Sequence, residues 1–422
     1  MQIVVRPEGR YWLEWPGSSS ARSRCSLHYR LPILQSLPSP AGLRVFRCVS
    51  LAALVAGSLA GCSIGGLSNE ESVQTPAQAH ALIVRALAPE TRDRVGWATD
   101  IYAAFAALKR PATADDVCAV IAVTEQESSF REDPTVPGLS KIAWKEIDDR
   151  AQRLGVPSLV VRTALRISSP DGRSYSERID KATTERELSE IFEDLIGLVP
   201  MGKSLFGAWN PVRTGGPMQV SIAFSQEHAR SRPYPYPVKD NIRNEVFTRH
   251  GGMYFGIAHL LDYDASYDSH LYRFADFNAG HYASRNAGFQ NAVSVASGRT
   301  LVLDGDLVDH SAEKGREAGS TELAVRALGS RLKMSDSAIR ADLERGGSKD
   351  FDESQLYRRV FALADAGRDR PLPRAMVPRI TLKSPKITRN LTTAWFAERV
   401  DSRYKRCLDR VGPKGARAAE PS

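Results

Sequence analysis

From residue 77 onward the chain is written almost without interruption in the helical period, and this removes most architectures from consideration before any motif is weighed. Apolar residues recur at three- and four-residue spacing over 77–87, 93–108, 114–130, 142–154 and 158–167. Thr113 stands three residues before Asp116 at the head of the third of these, a capping arrangement. Thr184-x-x-Glu187 is a capping box ahead of Leu188, Ile191, Phe192, Leu195 and Val199, in a helix that should stop near Gly197 and Pro200. Helices are also expected over 253–261 and 269–277, with loops at 211–216 and at the Pro-Tyr alternation of 233–237, which reads as polyproline-like. Beyond residue 308 come charged helices over 321–332, 335–343 and 355–366, a Pro-rich stretch over 371–385 and a last helix over 392–408. Strand-like alternation is scarce, so the expected fold class is mainly α.

Composition narrows the function classes. The 422 residues are 42% hydrophobic and 25% charged, the make-up of an ordinary globular protein. Five cysteines are too few for a disulfide scaffold, and no Cys-x-x-Cys or His-Glu-x-x-His spacing offers a metal site. The net charge of +8 suggests nucleic acid, but the first 61 residues hold seven Arg and no Lys against Glu8 and Glu14, a net of +5 that leaves +3 for the rest. No nucleic-acid partner, nucleotide, flavin, metal or other cofactor is expected.

The charge-free run over 49–60 follows Arg44 and Arg47 and ends in Leu59-Ala60-Gly61-Cys62. A basic region, a short apolar run and small residues at the cut have the shape of a secretory signal. The run is shorter than the roughly 20 residues of a membrane-spanning helix, so it is expected to be removed. Its last four residues resemble the lipobox of bacterial lipoproteins. The resemblance implies that Cys62 is lipidated, palmitate included, and becomes the first residue of the mature chain. Ser63 after it implies an outer-membrane anchor on the periplasmic face. Residues 1–42 have no place in such a signal, and the natural start is expected near Leu43 or Val45. The Gly-, Ser-, Asn- and Gln-rich stretch over 62–76 reads as a tether.

The segment 117–130, Val-Cys-Ala-Val-Ile-Ala-Val-Thr-Glu-Gln-Glu-Ser-Ser-Phe, ends an apolar helix in two acids. On a helical wheel Glu127 falls about 40° from the centre of the face set by Val117, Val120, Ile121, Val123 and Thr124, whereas Glu125 falls about 120° away. Glu127 is therefore expected to point towards the core and Glu125 towards water. A carboxyl at the rim of an apolar surface is desolvated and can stay protonated as a general acid. The plain alternative is a boundary glutamate satisfied by a nearby backbone donor.

Three further segments follow in order: Gly215-Gly216-Pro217-Met218-Gln219-Val220, then Gly252-Met253-Tyr254-Phe255-Gly256-Ile257-Ala258-His259-Leu260-Leu261, then Ala275-Asp276-Phe277-Asn278-Ala279-Gly280. Together with Glu127-Ser128-Ser129-Phe130 they resemble the lysozyme-like fold of soluble lytic transglycosylases and goose-type lysozymes, over roughly residues 93–290. No single tetrapeptide is specific; the resemblance lies in the order of the four. It implies that Glu127 is the catalytic acid and then base, and that Ser128 sets the loop beside it. Met218 would lie against a sugar face, Gln219 would hydrogen-bond an N-acetyl or hydroxyl group, Tyr254 and Phe277 would contribute to the substrate site, and Asn278 would organise the cleft floor. The partner implied is peptidoglycan. The domains expected are a leader over 1–61, a tether over 62–76, a lysozyme-like domain over 77–308 with a helical insertion over 141–210, and a helical C-terminal region over 309–422 of unknown role.

Departures from that pattern matter. Phe277 stands where the family has Tyr, Pro217 replaces a Leu or an aromatic, and 88 residues separate Glu127 from Gly216. A connection that long would sit beside the cleft and lengthen, cap or occlude it. An inverting hydrolase needs a second carboxylate roughly 6.5 to 9.5 Å from the first, whereas a lytic transglycosylase uses one Glu and lets the muramyl 6-hydroxyl attack. Glu132, Asp133, Asp262, Asp264, Asp268 and Asp276 are all available, and none has a distinctive setting, which favours the non-hydrolytic reaction. A catalytically inactive peptidoglycan-binding lipoprotein and a muramidase of the same fold are the alternatives. His250, His259, His270 and His281 have no ligand spacing and read as single surface or boundary residues. Ser311-Ala-Glu-Lys314 lacks the companion motifs of penicillin-interacting enzymes. Cys118 and Cys407 either pair in an oxidising compartment, stapling the last helix to the third, or leave Cys118 a buried free thiol.

Overall fold

A computed structural model describes residues 74–202, 207–267, 269–309, 318–382 and 391–412. The leader, Cys62, the tether up to residue 73, Asp268, and the Ser311 and Lys314 pair lie outside the described residues. Thr75 is the N-cap of α1 (Pro76–Ala86), so the end of the expected tether opens a helix, with Gln78 completing a capping box. Asp93 caps α2 (Arg94–Ala107) and Thr113 caps α3 (Ala114–Glu127) by accepting from the Asp116 N–H. Then come α4 (Leu139–Arg153), α5 (Ser158–Ala164), α6 (Tyr175–Lys181) and α7 (Glu185–Gly197), the last opened by the Thr184/Glu187 box.

A short antiparallel hairpin, β1 (Thr214–Gly215) with β2 (Val220–Ser221), stands where a plain loop was expected. It leads into α8 (Ile222–Ser231), α9 (Ile242–Val246), α10 (Arg249–Leu261), α11 (His270–Ala279) and α12 (Ala283–Ser297). The helix expected over 321–332 is broken into α13 (Ser320–Arg326) and α14 (Gly329–Leu332). There follow α15 (Asp336–Leu343), α16 (Gln355–Asp365), a second two-stranded pair of β3 (Thr381–Leu382) and β4 (Leu391–Thr392), and α17 (Thr393–Val411). The fold is mainly α. No helix among the described residues is long and apolar enough to cross a membrane.

Three apolar cores divide this chain. The first gathers α1, α2, α3, α10, α11 and α17 around Ile101, Phe105, Val120, Phe255 and Phe274. The second gathers α12 to α16 around Phe289, Phe351 and Phe361. The third is the insertion itself, α4 to α7 around Tyr175, Ile179 and Ile191. The boundary expected at residue 308 is therefore not where the packing divides: α12, on its near side, belongs to the second core, and α17, at the far end, returns to the first.

That return is covalent. Cys118 of α3 and Cys407 of α17 form a disulfide, with Cα atoms 5.4 Å apart and a sequence separation of 289. Around it Tyr404 donates to Asp115 Oδ1 at 2.6 Å, and Arg403 and Arg406 approach Glu125 at 3.3 and 3.5 Å. Glu125, expected to face water, thus faces the last helix. The wheel gave its direction correctly, but the chain continued into a partner that covers that side.

Candidate functional site

The side chains of interest sit where α3 ends. Val120, Val123 and Thr124 are wholly buried, and Thr124 donates to the Val120 carbonyl at 2.9 Å with its Oγ1 3.9 Å from Met253 Sδ of α10. Glu127 follows on that face, 8% exposed, at the last helical position. Ser128 is the C-cap. Its hydroxyl donates back to the Thr124 carbonyl at 3.2 Å and accepts from the Arg131 N–H at 3.3 Å, so it holds the turn that leaves the helix. Ser129 and Phe130 then take left-handed φ values of 51° and 57°. Non-glycine residues there cost on the order of 1 kcal/mol or more each, and such strain collects at functional sites. Phe130 is held edge-on to Trp97 with ring centroids 5.2 Å apart, and the Arg249 guanidinium lies 5.4 Å from the Trp97 ring while pairing with Asp93 and Asp100.

The hairpin of Gly215 to Val220 is brought to the same helix, α10, by two glycines. A Cβ on Gly256 would meet Met218 Sδ at 2.4 Å, and one on Gly252 would meet the Pro217 ring at 2.4 Å. Close approach, not turn geometry, is what those glycines supply. The outcome corrects one expectation: Met218 is completely buried against α10 and presents no surface to a sugar ring. A thioether opposite a glycine fills the gap the missing side chain leaves. Gln219 is also left-handed, at φ 51°, and its amide is committed to its own turn. Nε2 donates to the Gly216 carbonyl at 3.3 Å, and Oε1 accepts from Thr214 Oγ1 at 3.4 Å.

The third and fourth segments complete the surroundings of α10. Tyr254 is buried, its hydroxyl 3.2 Å from His228 Nε2 and donating to the Pro233 carbonyl at 3.4 Å. Phe277 packs on His259 at 5.1 Å. Asn278 is fully buried beneath the start of α17, where its Oδ1 accepts from Thr393 Oγ1 at 3.1 Å. Its Nδ2 has no partner among the described residues. The structure thus brings all four segments to one helix, but it closes Met218, Asn278 and Tyr254 into packed surroundings, leaving Glu127, Ser128 and Gln219 only slightly exposed at the edge.

Of the other acids, three are tied to cations: Asp133 to Arg186 at 3.0 Å, Asp262 to Arg232 at 3.1 Å and Asp264 to Lys349 at 2.8 Å. Glu132 is exposed in the turn beyond Ser129. Asp276 is the one that sequence reasoning undervalued. Wholly buried, it accepts from the Ser284 N–H at 2.7 Å, the Tyr282 N–H and the Tyr263 hydroxyl at 3.1 Å each, and the Tyr267 hydroxyl. Burial pushes its carboxyl up to about 7 against the pull of those donors.

His250, His259, His270 and His281 are half-buried boundary residues, and two of them, His259 and His281, are not single. His259 stacks on His281 at 4.5 Å, His281 on Tyr263 at 4.1 Å, and Phe224 lies 4.6 Å from His259 and 5.5 Å from His228. Burial holds His228, His259 and His281 below the usual imidazole range, so the stack is neutral near pH 7. Among the described residues no group of three or more His, Cys, Asp or Glu is placed to hold a metal ion.

The insertion leaves and re-enters beside this site. Val136 N–H donates to the Thr183 carbonyl at 2.9 Å, and Asn210 Nδ2 donates to Ser189 Oγ at 3.2 Å. Buried Arg243 of α9 donates to the Val212 carbonyl at 2.9 Å and lies 3.6 Å from Glu193 of α7. Nothing in the sequence singled out Arg243, because its partners are distant backbone and insertion residues.

The chain is 52% identical over 365 residues to the uncharacterised protein YaiW of Escherichia coli (strain K12), a match that spans 86% of this chain and 99% of that one. No solved structure matches. A family model described as protein of unknown function (DUF1615) matches residues 90–410, which takes in all four segments, the insertion and the disulfide, and the chain belongs to that family.

Proposed function

We propose that the protein is a lipid-anchored lytic transglycosylase that cleaves the MurNAc-GlcNAc bond of peptidoglycan without water, with Glu127 as general acid and then base. The observation that carries this reading is the setting of Glu127. It is the last residue of a buried helical face, its position is fixed by the Ser128 cap, and two strained residues follow it at the edge of the core. Its carboxyl would protonate the glycosidic oxygen and then accept the proton of the muramyl 6-hydroxyl as that oxygen closes on C1, giving a 1,6-anhydro end. The engagement of Asp133, Asp262 and Asp264 with cations favours a single-acid reaction over hydrolysis.

A second reading has its own support. Met218 and Asn278 are enclosed, so two side chains that the resemblance puts at the substrate cannot reach it, as in a fold that has kept its form and lost the chemistry. The test is mass spectrometry of purified peptidoglycan incubated with the chain from residue 63 onward, beside Glu127→Gln. Products ending in 1,6-anhydromuramic acid, absent with the variant, are expected. Reducing-end products would make it a muramidase. Retention on sacculi with no product from either protein would make it a binding lipoprotein.

A further inference from the structure

We propose that the tip of the insertion, where α4 turns into α5, is a surface that docks on an anionic phospholipid bilayer. The argument begins with α5, a helix in which no residue is buried. Val161 within it and Leu165 at its C-cap turn inward to the insertion's own core, leaving the other side without a partner among the described residues. On and beside α5, Leu154 is 69% exposed, Leu159 75%, Val160 56% and Ile167 49%. Leu159 and Val160 belong to α5 itself, Leu154 ends α4, and Ile167 lies in the bend just beyond α5. Trp209, 43% exposed, is attached to the same place, because Arg150 Nη1 donates to its carbonyl at 2.7 Å.

Charge decides what covers this face. Residues 150–170 contain Arg150, Arg153, Arg162 and Arg166 and no acid. Arg162 is anchored to Asp148 at 2.6 Å and Arg150 to Glu146 at 2.6 Å, Arg153 is 3.9 Å from the same Glu146, and Arg166 makes no ion pair among the described residues. Arginine beside Leu, Val, Ile and Trp, with four guanidinium groups against the two carboxylates they meet, is the pattern of an element lying in the bilayer interface. The apolar side chains enter the acyl boundary and the guanidinium groups meet phosphate. A glycan strand would call for amides and stacked rings, which this face lacks apart from Trp209. The surface is separate from Glu127, so its test does not depend on the reaction assigned above.

The experiment is vesicle flotation of the chain from residue 63, which retains every contact of the three cores and carries no acyl chain at Cys62. Vesicles of phosphatidylethanolamine with phosphatidylglycerol are compared with vesicles of phosphatidylcholine alone. The chain should float with the anionic vesicles and less so as salt rises. Arg153→Gln with Arg166→Gln should weaken partitioning about fivefold for each arginine removed. Leu159→Glu with Val160→Glu should abolish it. All four positions are exposed, so circular dichroism and the melting temperature should match the parent's. The proposal is overturned if the parent stays with the unbound fraction, if both variants float as the parent does, or if phosphatidylcholine binds equally and the arginine pair has no effect. A dimer that the glutamate variant dissociates would give the face to a second copy instead. Sacculi that retain the parent but not the variants, without any flotation, would give it to the wall polymer. Either result also overturns the proposal.

Discussion

Asp276 shows how a buried carboxyl serves architecture even when it stands inside a motif of interest. It accepts from the two backbone N–H groups that open α12 and from two tyrosine hydroxyls, and it connects the end of α11 to the start of α12. Its folded pKa of about 7 lies above the unfolded value of 3.8. Below 3.8 both states hold the proton. Between 3.8 and 7 only the folded state holds it, so this residue's contribution to stability falls as pH rises through that window, by on the order of 4 kcal/mol in full. Asp276→Asn cannot titrate and offers only one acceptor atom to the four donors. Urea unfolding from pH 4 to 8 should show the variant less stable at pH 4 by about 2 kcal/mol, with a flatter decline towards pH 7 than the parent. Equal slopes in the two proteins would remove Asp276 as the source. By contrast Glu127 was legible in the sequence, because an apolar face continued to its position and a helical wheel is reliable while the helix lasts.

At the scale of elements, what could be read was what local chemistry specifies. Thr113 and Thr184 each cap a helix by accepting from a backbone N–H three residues on, and those helices begin within a residue of where the caps put them. The element α12 could not be read. Its polar residues suggest a solvated face, yet they are buried. Arg285 donates to the Gly346 and Ser348 carbonyls at 2.7 and 2.8 Å, Asn286 to Gly305 and Gly346, and Gln290 to Asp304 and Asp306. A helix buried on all sides over its first ten residues, from Ala283 to Ala292 with the one exception of Asn291, and with part of its surroundings polar, carries no amphipathic signal. The last helix was legible as a helix but not in its place. Its link to α3 closes a loop of 289 residues, and a crosslink of that span restricts the unfolded chain strongly. Cys407→Ser should cost about 2 to 5 kcal/mol in urea unfolding, and dithiothreitol should lower the parent towards the variant while leaving the variant unmoved. A parent that titrates two free thiols at these positions, denatured without reductant, would contradict the link.

In the whole molecule the insertion core is tied to the first core by single side chains reaching across distant segments, which leave no pattern in the sequence. Arg243 is the chief of them. Desolvation depresses its pKa, which marks a guanidinium held in poor contact with water, and its partners are the Val212 carbonyl before the hairpin, Ser189 Oγ and Glu193 on α7. Removing it leaves a carbonyl and a carboxylate facing a void, for which about 3 kcal/mol is the expected cost. The consequence should be local. In Arg243→Ala, hydrogen exchange should quicken together in α7 and in residues 212–221, while α16, in the second core, exchanges as before. If the activity assigned to Glu127 holds, turnover should fall with it, because Gln219 sits at the end of the loosened segment. Uniform acceleration across all three cores would mean instead that the insertion is part of one cooperative unit and that Arg243 stabilises the entire chain.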